Sequence, residues 1–226
     1  MSLDGYLAEP LRSTGEWFER VLHACRPEMR CGRGCTLCCH GLFDIALPEA
    51  LLLAHGLSWL SARDLSDVRA RSAAVQSAIE SAAPELRSPF LLHDLSEQRV
   101  DEIVRALDAP RCPLLTDDGA CSVYDLRPLA CRLEGVPMVD SADGPFGDWC
   151  ELNFTGGVPE PAIEILRRDY DTLQRLEEEA TAEASELPLG RRLAWVTVFI
   201  PSVVDAFEDY WRPVLHRRQA GTSDAA

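Results

Sequence analysis

Four cysteines fall within nine residues, Cys31, Cys35, Cys38 and Cys39, in the run MRCGRGCTLCCHG. Thiols this dense, set among glycines whose backbone can close around a small object, are a poor solution to apolar packing and a good one to metal ligation. A second set answers the first: Cys112, Cys121, Cys131 and Cys150. Eight of the nine cysteines thus form two groups of four, separated by a cysteine-free stretch from His40 to Arg111. Together they describe a thiolate metal site assembled from two distant pieces of one chain.

Thiolates are soft donors that suit zinc, copper(I) and iron–sulfur clusters, and four-sulfur environments point to zinc or iron–sulfur. Eight are enough for two mononuclear sites, for two [4Fe–4S] cubanes, or for one cluster with spare thiols held for redox work. The Cys31-x3-Cys35-x2-Cys38 spacing is also that of radical-SAM enzymes. Those enzymes are α/β barrels, however, and this chain shows no alternation of strand and helix. Cys38 and Cys39 are neighbours, whose side chains diverge in most backbone conformations, so the pair serves two metals or one polynuclear site.

Eight thiolates around two divalent ions leave a charge of about −4 that burial would make costly without compensation. Arg30, Arg33, Arg111, Arg127 and Arg132 lie close to cysteines in the sequence, with Arg127 and Arg132 the foremost candidates for N–H···S donation. His40 is a minor nitrogen candidate beside so much sulfur. His23, His55, His93 and His216 have no partner at ligand spacing and read as structural. No Ser-His-Asp order, phosphate-binding glycine loop or paired catalytic carboxylate stands out. Closed four-sulfur sites would make a structural or electron-transfer protein. A metal with an open position would make an enzyme, and the residues alone leave that choice open.

The formal charge of −15, from 37 acidic against 22 basic side chains that are all arginine, speaks against nucleic-acid binding and adhesion to anionic membranes. The first twenty residues carry acids and no continuous apolar core, unlike a secretory signal, so the expected compartment is the cytoplasm, where thiols serve metals rather than disulfides. The longest apolar run, Leu193 to Phe207, is broken by Pro201 and Asp205 and is too short for a membrane helix.

The elements that must carry the cysteines are mostly helical. At 226 residues the expectation is a single helical domain over 1–226, with irregular cysteine-rich loops joined at the metal site and little β. The metal-binding region spans about 28–155 and a C-terminal helical region about 159–218. Apolar spacing predicts a helix over 7–25, with Cys25 on its buried stripe. A short extended piece covers 41–47. Further helices run from Pro48 to near Gly56, from a Ser61 cap to about Ala83, and from Ser96 to Leu107. Residues 111–150 read as loops, with a helical turn or two from Asp125, as cap, to Leu133. One long helix is predicted from Pro159 to about 187, and a last one from Arg191 to about Arg218, interrupted at Pro201. The last helix has an aromatic core face of Trp195, Phe199, Phe207, Tyr210 and Trp211.

The two cysteine blocks resemble the bacterial YkgJ-like cysteine-cluster family, which is associated with zinc or iron chelation. That family's pattern is CxxxCxxCC, then CP-x-L, then C-x-V/I-Y-x-x-RP-x-x-CR and a final cysteine. The chain matches at Cys31, Cys35, Cys38, Cys39, Cys112, Pro113, Leu115, Cys121, Tyr124, Arg127, Pro128, Cys131, Arg132 and Cys150, over about residues 28–155. The resemblance implies an iron–sulfur or zinc centre. Flagellin lysine N-methylases carry a similar block, which raises S-adenosylmethionine-dependent protein methylation as the alternative chemistry. The chain lacks an obvious added domain for a protein substrate, and its long C-terminal helices lie outside the match.

Overall fold

The computed structural model describes residues 3–30, 34–140, 144–146 and 149–223. Along the chain these form α1 (Leu3–Ala24), β1 (Asp44–Ala46), α2 (Leu47–Ser58), α3 (Ala62–Ala82), α4 (Glu97–Ala106), α5 (Leu129–Leu133), β2 (Met138–Asp140), β3 (Gly144–Phe146), α6 (Glu160–Leu166), β4 (Arg167–Arg168), α7 (Tyr170–Leu189), β5 (Thr197–Phe199), α8 (Ile200–Asp205) and α9 (Arg212–Ser223). The fold is mostly α, as the periodicities predict, and its strands are two or three residues long.

The local signals act where they are written. The Ser61 hydroxyl accepts the Asp64 N–H at 3.1 Å to start α3, and Pro48 occupies the first turn of α2, where it has no N–H to lose. α2 is buried almost all round because it threads the main core, with Leu47, Leu51, Leu53 and Leu57 fully enclosed. Around it stand α3, whose Val68 and Ile79 point inward, and the chain from Val196 to Leu215, which contributes Val198, Phe199, Val203, Phe207, Trp211 and Val214. β1 and β5 pair antiparallel, Ile45 opposite Val198, and set α2 and α8 side by side. A second apolar cluster gathers Trp17, Val21 and Cys25 from α1 and its end with Met29, Val136, Val139, Phe154 and Leu166. Cys25 is 2% exposed, the buried hydrophobe its stripe predicts.

Three expectations are corrected. The long helix predicted from Pro159 is two helices, α6 and α7. Arg167 and Arg168 extend to pair in parallel with Val139 and Asp140 of β2, the Arg168 guanidinium reaches Ser13 and Thr14, and Asp169 caps a new helix by accepting the Thr172 N–H at 2.8 Å. The last helix does not begin at Arg191. The β-branched run from Val196 to Val198 is extended, the Leu47 N–H bonds the Val196 carbonyl at 2.9 Å, and Pro201 opens α8 instead of interrupting a helix. Of the predicted aromatic face, Phe199, Phe207 and Trp211 are buried, but Trp195 is 59% exposed. Among the described residues, no helix is long and apolar enough to cross a membrane.

Candidate metal centre

The first cysteine block closes as a short 3-10 turn over Leu37–Cys39, with the Cys39 N–H and the His40 Nδ1 both on the Thr36 carbonyl, at 2.9 and 3.1 Å. That contact occupies one nitrogen of the histidine ring. From here the chain meets the second block directly. The Cys112 N–H donates to the Cys39 carbonyl at 2.8 Å, the Gly41 N–H to the Pro110 carbonyl at 2.9 Å, and His40 faces Arg111 in an antiparallel bridge. Two residues that are 73 positions apart therefore share a main-chain hydrogen bond, and both are cysteines.

Beyond Cys112 the chain doubles back. Leu115 bridges Cys121, and the Ser122 N–H bonds the Leu114 carbonyl at 2.8 Å. The tip is tied by Thr116, whose hydroxyl accepts the Ala120 N–H at 3.0 Å. Gly119, at φ +79°, lies against the first block, where a side chain would meet the Thr36 methyl at 3.5 Å and the Gly34 backbone at 3.7 Å. Arg111 spends its guanidinium on this tip, donating to the Thr116 carbonyl and to Asp117. From α3, Arg71 holds the Pro113 carbonyl at 2.9 Å.

Cys131 rides on α5, and α2 is the platform beneath it. Near the end of α2, Gly56 lets Val123 and Leu126 approach, so that an added Cβ would meet them at 3.2 and 3.3 Å. At its start, Glu49 accepts the N–H of Leu129 with one carboxyl oxygen and that of Ala46 with the other, at 3.0 Å. Asp125, the expected cap, instead lies inside a 3-10 turn over Tyr124–Leu126, and the helix starts later, at Leu129, whose N–H is taken by Glu49. Cys150 is held elsewhere in the same region. Its carbonyl accepts the Asn153 N–H at 2.9 Å, and the Asn153 side chain takes the Arg30 N–H at 2.7 Å while donating to the Gly135 carbonyl at 2.6 Å. Asn153 therefore fastens the last cysteine's turn to the residue before Cys31, although Cys31 itself lies outside the described residues, as does Arg33.

All eight described cysteines are free thiols. Cys25 is buried, and Cys35, Cys38, Cys39, Cys112, Cys121, Cys131 and Cys150 are half-buried, as donors at a shallow site would be. Their electrostatics tie the two blocks together. Cys38 donates a hydrogen bond to Cys39, and this raises Cys38 further above the ordinary thiol range while it lowers Cys39. Burial raises Cys39 against that bond, and Cys112, Cys121 and Cys131 press on it with like charge. Burial pushes Cys112 up to about 11, and it lifts Cys131 further with help from Cys112, Glu49, Cys121 and Cys38. Burial raises Cys121 as well, against the pull of Arg127.

The two foremost arginines divide their work. Arg132 donates to the Arg127 and Asp125 carbonyls at 3.1 and 2.8 Å, so it braces the loop rather than a sulfur. The Arg127 guanidinium sits over the Tyr124 ring at 4.3 Å and the Phe18 ring at 5.6 Å, and its buried Nε–H has no partner among the described residues. A cation beside Cys121 with a donor to spare fits a site whose occupant brings sulfur and negative charge. Glu134, at the end of α5, adds an acid that presses on Cys38, and burial raises the Glu134 carboxyl in turn.

These donors fit a soft metal in kind. Among the described residues, no three Cys, His, Asp or Glu side chains already stand in an ion-holding arrangement. Glu49, Glu134 and Asn153 escape a reading of the cysteine pattern. Only Glu49 carries a local signal, its place three residues after the Ala46 cap. The family model described as "CxxCxxCC: Putative zinc- or iron-chelating domain" matches residues 30–151. No curated protein and no solved structure matches the chain.

Proposed function

Because the chain belongs to the CxxCxxCC zinc- or iron-chelating domain family through residues 30–151, we propose that it binds metal through Cys31, Cys35, Cys38, Cys39, Cys112, Cys121, Cys131 and Cys150, in iron–sulfur centres that carry electrons. The observation that carries this reading is the hydrogen bond from the Cys112 N–H to the Cys39 carbonyl, which puts thiols of both blocks within electrostatic reach of one another. An iron–sulfur centre supplies one-electron chemistry when bound.

The chain's own residues do the rest. Burial raises Cys112, Cys121 and Cys131, so metal uptake by these thiols is linked to proton release. Arg127 offsets the negative charge and offers its free N–H, an interaction of the kind that tunes such centres. The half-buried position of the thiols, with Leu37 at 46% and Tyr124 at 56% exposure beside them, leaves a short path to a redox partner.

Anaerobic purification followed by iron, zinc and acid-labile sulfide analysis tests the reading. Brown protein with stoichiometric iron and sulfide is expected, and Cys131→Ser should lower both. Colourless protein holding zinc would replace the electron-transfer role with a structural one. Protein that binds neither metal would overturn the proposal.

A further inference from the structure

Glu49 is 3% exposed and belongs to no cysteine motif, yet its carboxyl is the meeting point of three helices. It accepts the Ala46 N–H at the start of its own helix α2 and the Leu129 N–H at the start of α5, two residues before Cys131. The carboxyl of Glu177 on α7 lies beside it, within reach of a hydrogen bond between the two acids. The chain thus has one buried acid bridging two helix starts, and a second acid from a distant helix holding the first.

We propose that Glu49 and Glu177 are positioning residues for Cys131, which together seat α5 so that its thiol faces Cys39 and Cys112. Glu49 fixes the first turn of α5 by its N–H, and five residues of helix cannot turn independently of their first. Glu177 fixes the Glu49 rotamer, because a carboxyl tied to a second carboxyl cannot swing away from Leu129 without breaking that bond. The apolar seat is already in place, with Leu129 packed beside Leu173 and Ala180 of α7. The proposal rests on the metal-thiolate reading and extends it. It gives α7, which lies beyond the matched residues 30–151, a part in the centre.

The test uses the full chain. Metal-free wild type, Glu49→Gln, Glu177→Ala and Glu177→Gln are titrated anaerobically with zinc ion against a chromophoric chelator. Alkylation of Cys131, relative to Cys112 and Cys25, is followed in the same metal-free samples by peptide mass spectrometry. A glutamine at 49 leaves one oxygen where two N–H groups need acceptors, and alanine at 177 removes the acceptor for Glu49. Both should weaken zinc binding by about tenfold, the usual effect of losing a group that orients a ligand. Both should also change the ratio of Cys131 to Cys112 alkylation severalfold.

Glu177→Gln keeps an acceptor for Glu49 and should restore both readouts towards wild type, which a merely structural loss would not do. Glu186→Ala, an exposed position on the same helix, should change neither. Wild-type affinity and alkylation ratio in Glu177→Ala would overturn the inference while the metal reading stood. If wild type binds no zinc, the metal reading fails and the alkylation ratio alone decides whether Cys131 is seated by these acids.

Discussion

The core around α2 and the cysteine junction are built on opposite terms. In the core, Leu47, Leu51, Phe199, Val203, Phe207 and Trp211 are fully enclosed, and burying each such side chain contributes about 1.5–3 kcal/mol without help from any other species. The junction has a five-residue helix, two single 3-10 turns and seven half-buried thiols, and main-chain hydrogen bonds such as that between Cys112 and Cys39 are its cohesion. One region is stable by what it excludes from water. The other has the chemistry to be stabilised by what it binds, and α2 serves both, carrying leucines on its length and Glu49 and Gly56 at its ends.

Separating the two experimentally should show that they fail independently. Phe207→Ala is expected to cost about 3–5 kcal/mol of unfolding free energy in denaturant titration. Metal per folded chain should stay the same, and a loss of metal in that variant would mean that the two regions are one cooperative unit.

The seam between them should respond to pH through Glu49. Its burial, with Glu177 alongside, raises its pKa well above the usual carboxylate range. The native state therefore keeps a proton that the unfolded chain gives up, and stability falls as pH rises, by about 1.4 kcal/mol per pH unit for one full proton. The melting temperature of the metal-free protein should drop between about pH 5 and about pH 8 more steeply in wild type than in Glu49→Gln. Equal slopes would remove Glu49 from the account.

The smallest effect belongs to the ninth cysteine. Cys25 packs with Trp17, Val21 and Met29, so Cys25→Ala should cost about 1 kcal/mol, as the loss of a small buried hydrophobe does. Metal analysis of that variant should match wild type, and a deficit would place Cys25 with the ligands.

Much of this division is legible in the sequence, because it rests on local signals. Periodic leucines, the Ser61 cap and Pro48 mark α2 and α3, and the cysteine spacing marks the family whose model covers residues 30–151. What escapes notice depends on partners far along the chain. The break at Arg167 and Arg168 depends on Ser13, Thr14 and β2, more than twenty residues away, and a helical pattern runs through it undisturbed. The start of α5 is served by Glu49 from 80 positions upstream, whereas a local reading starts the helix at an Asp125 cap. Asn153 ties Arg30 to Gly135 without any spacing that would announce it.

The bond between Cys39 and Cys112 also sets an order of events during synthesis. A growing chain exposes its first sulfurs while their counterparts are still untranslated, and at about 5–20 residues per second that interval lasts roughly 4–15 s. Any ion shared by the two blocks would have to arrive after the second of them has been made, and a translation product that stops short would leave its first thiols open to oxidants.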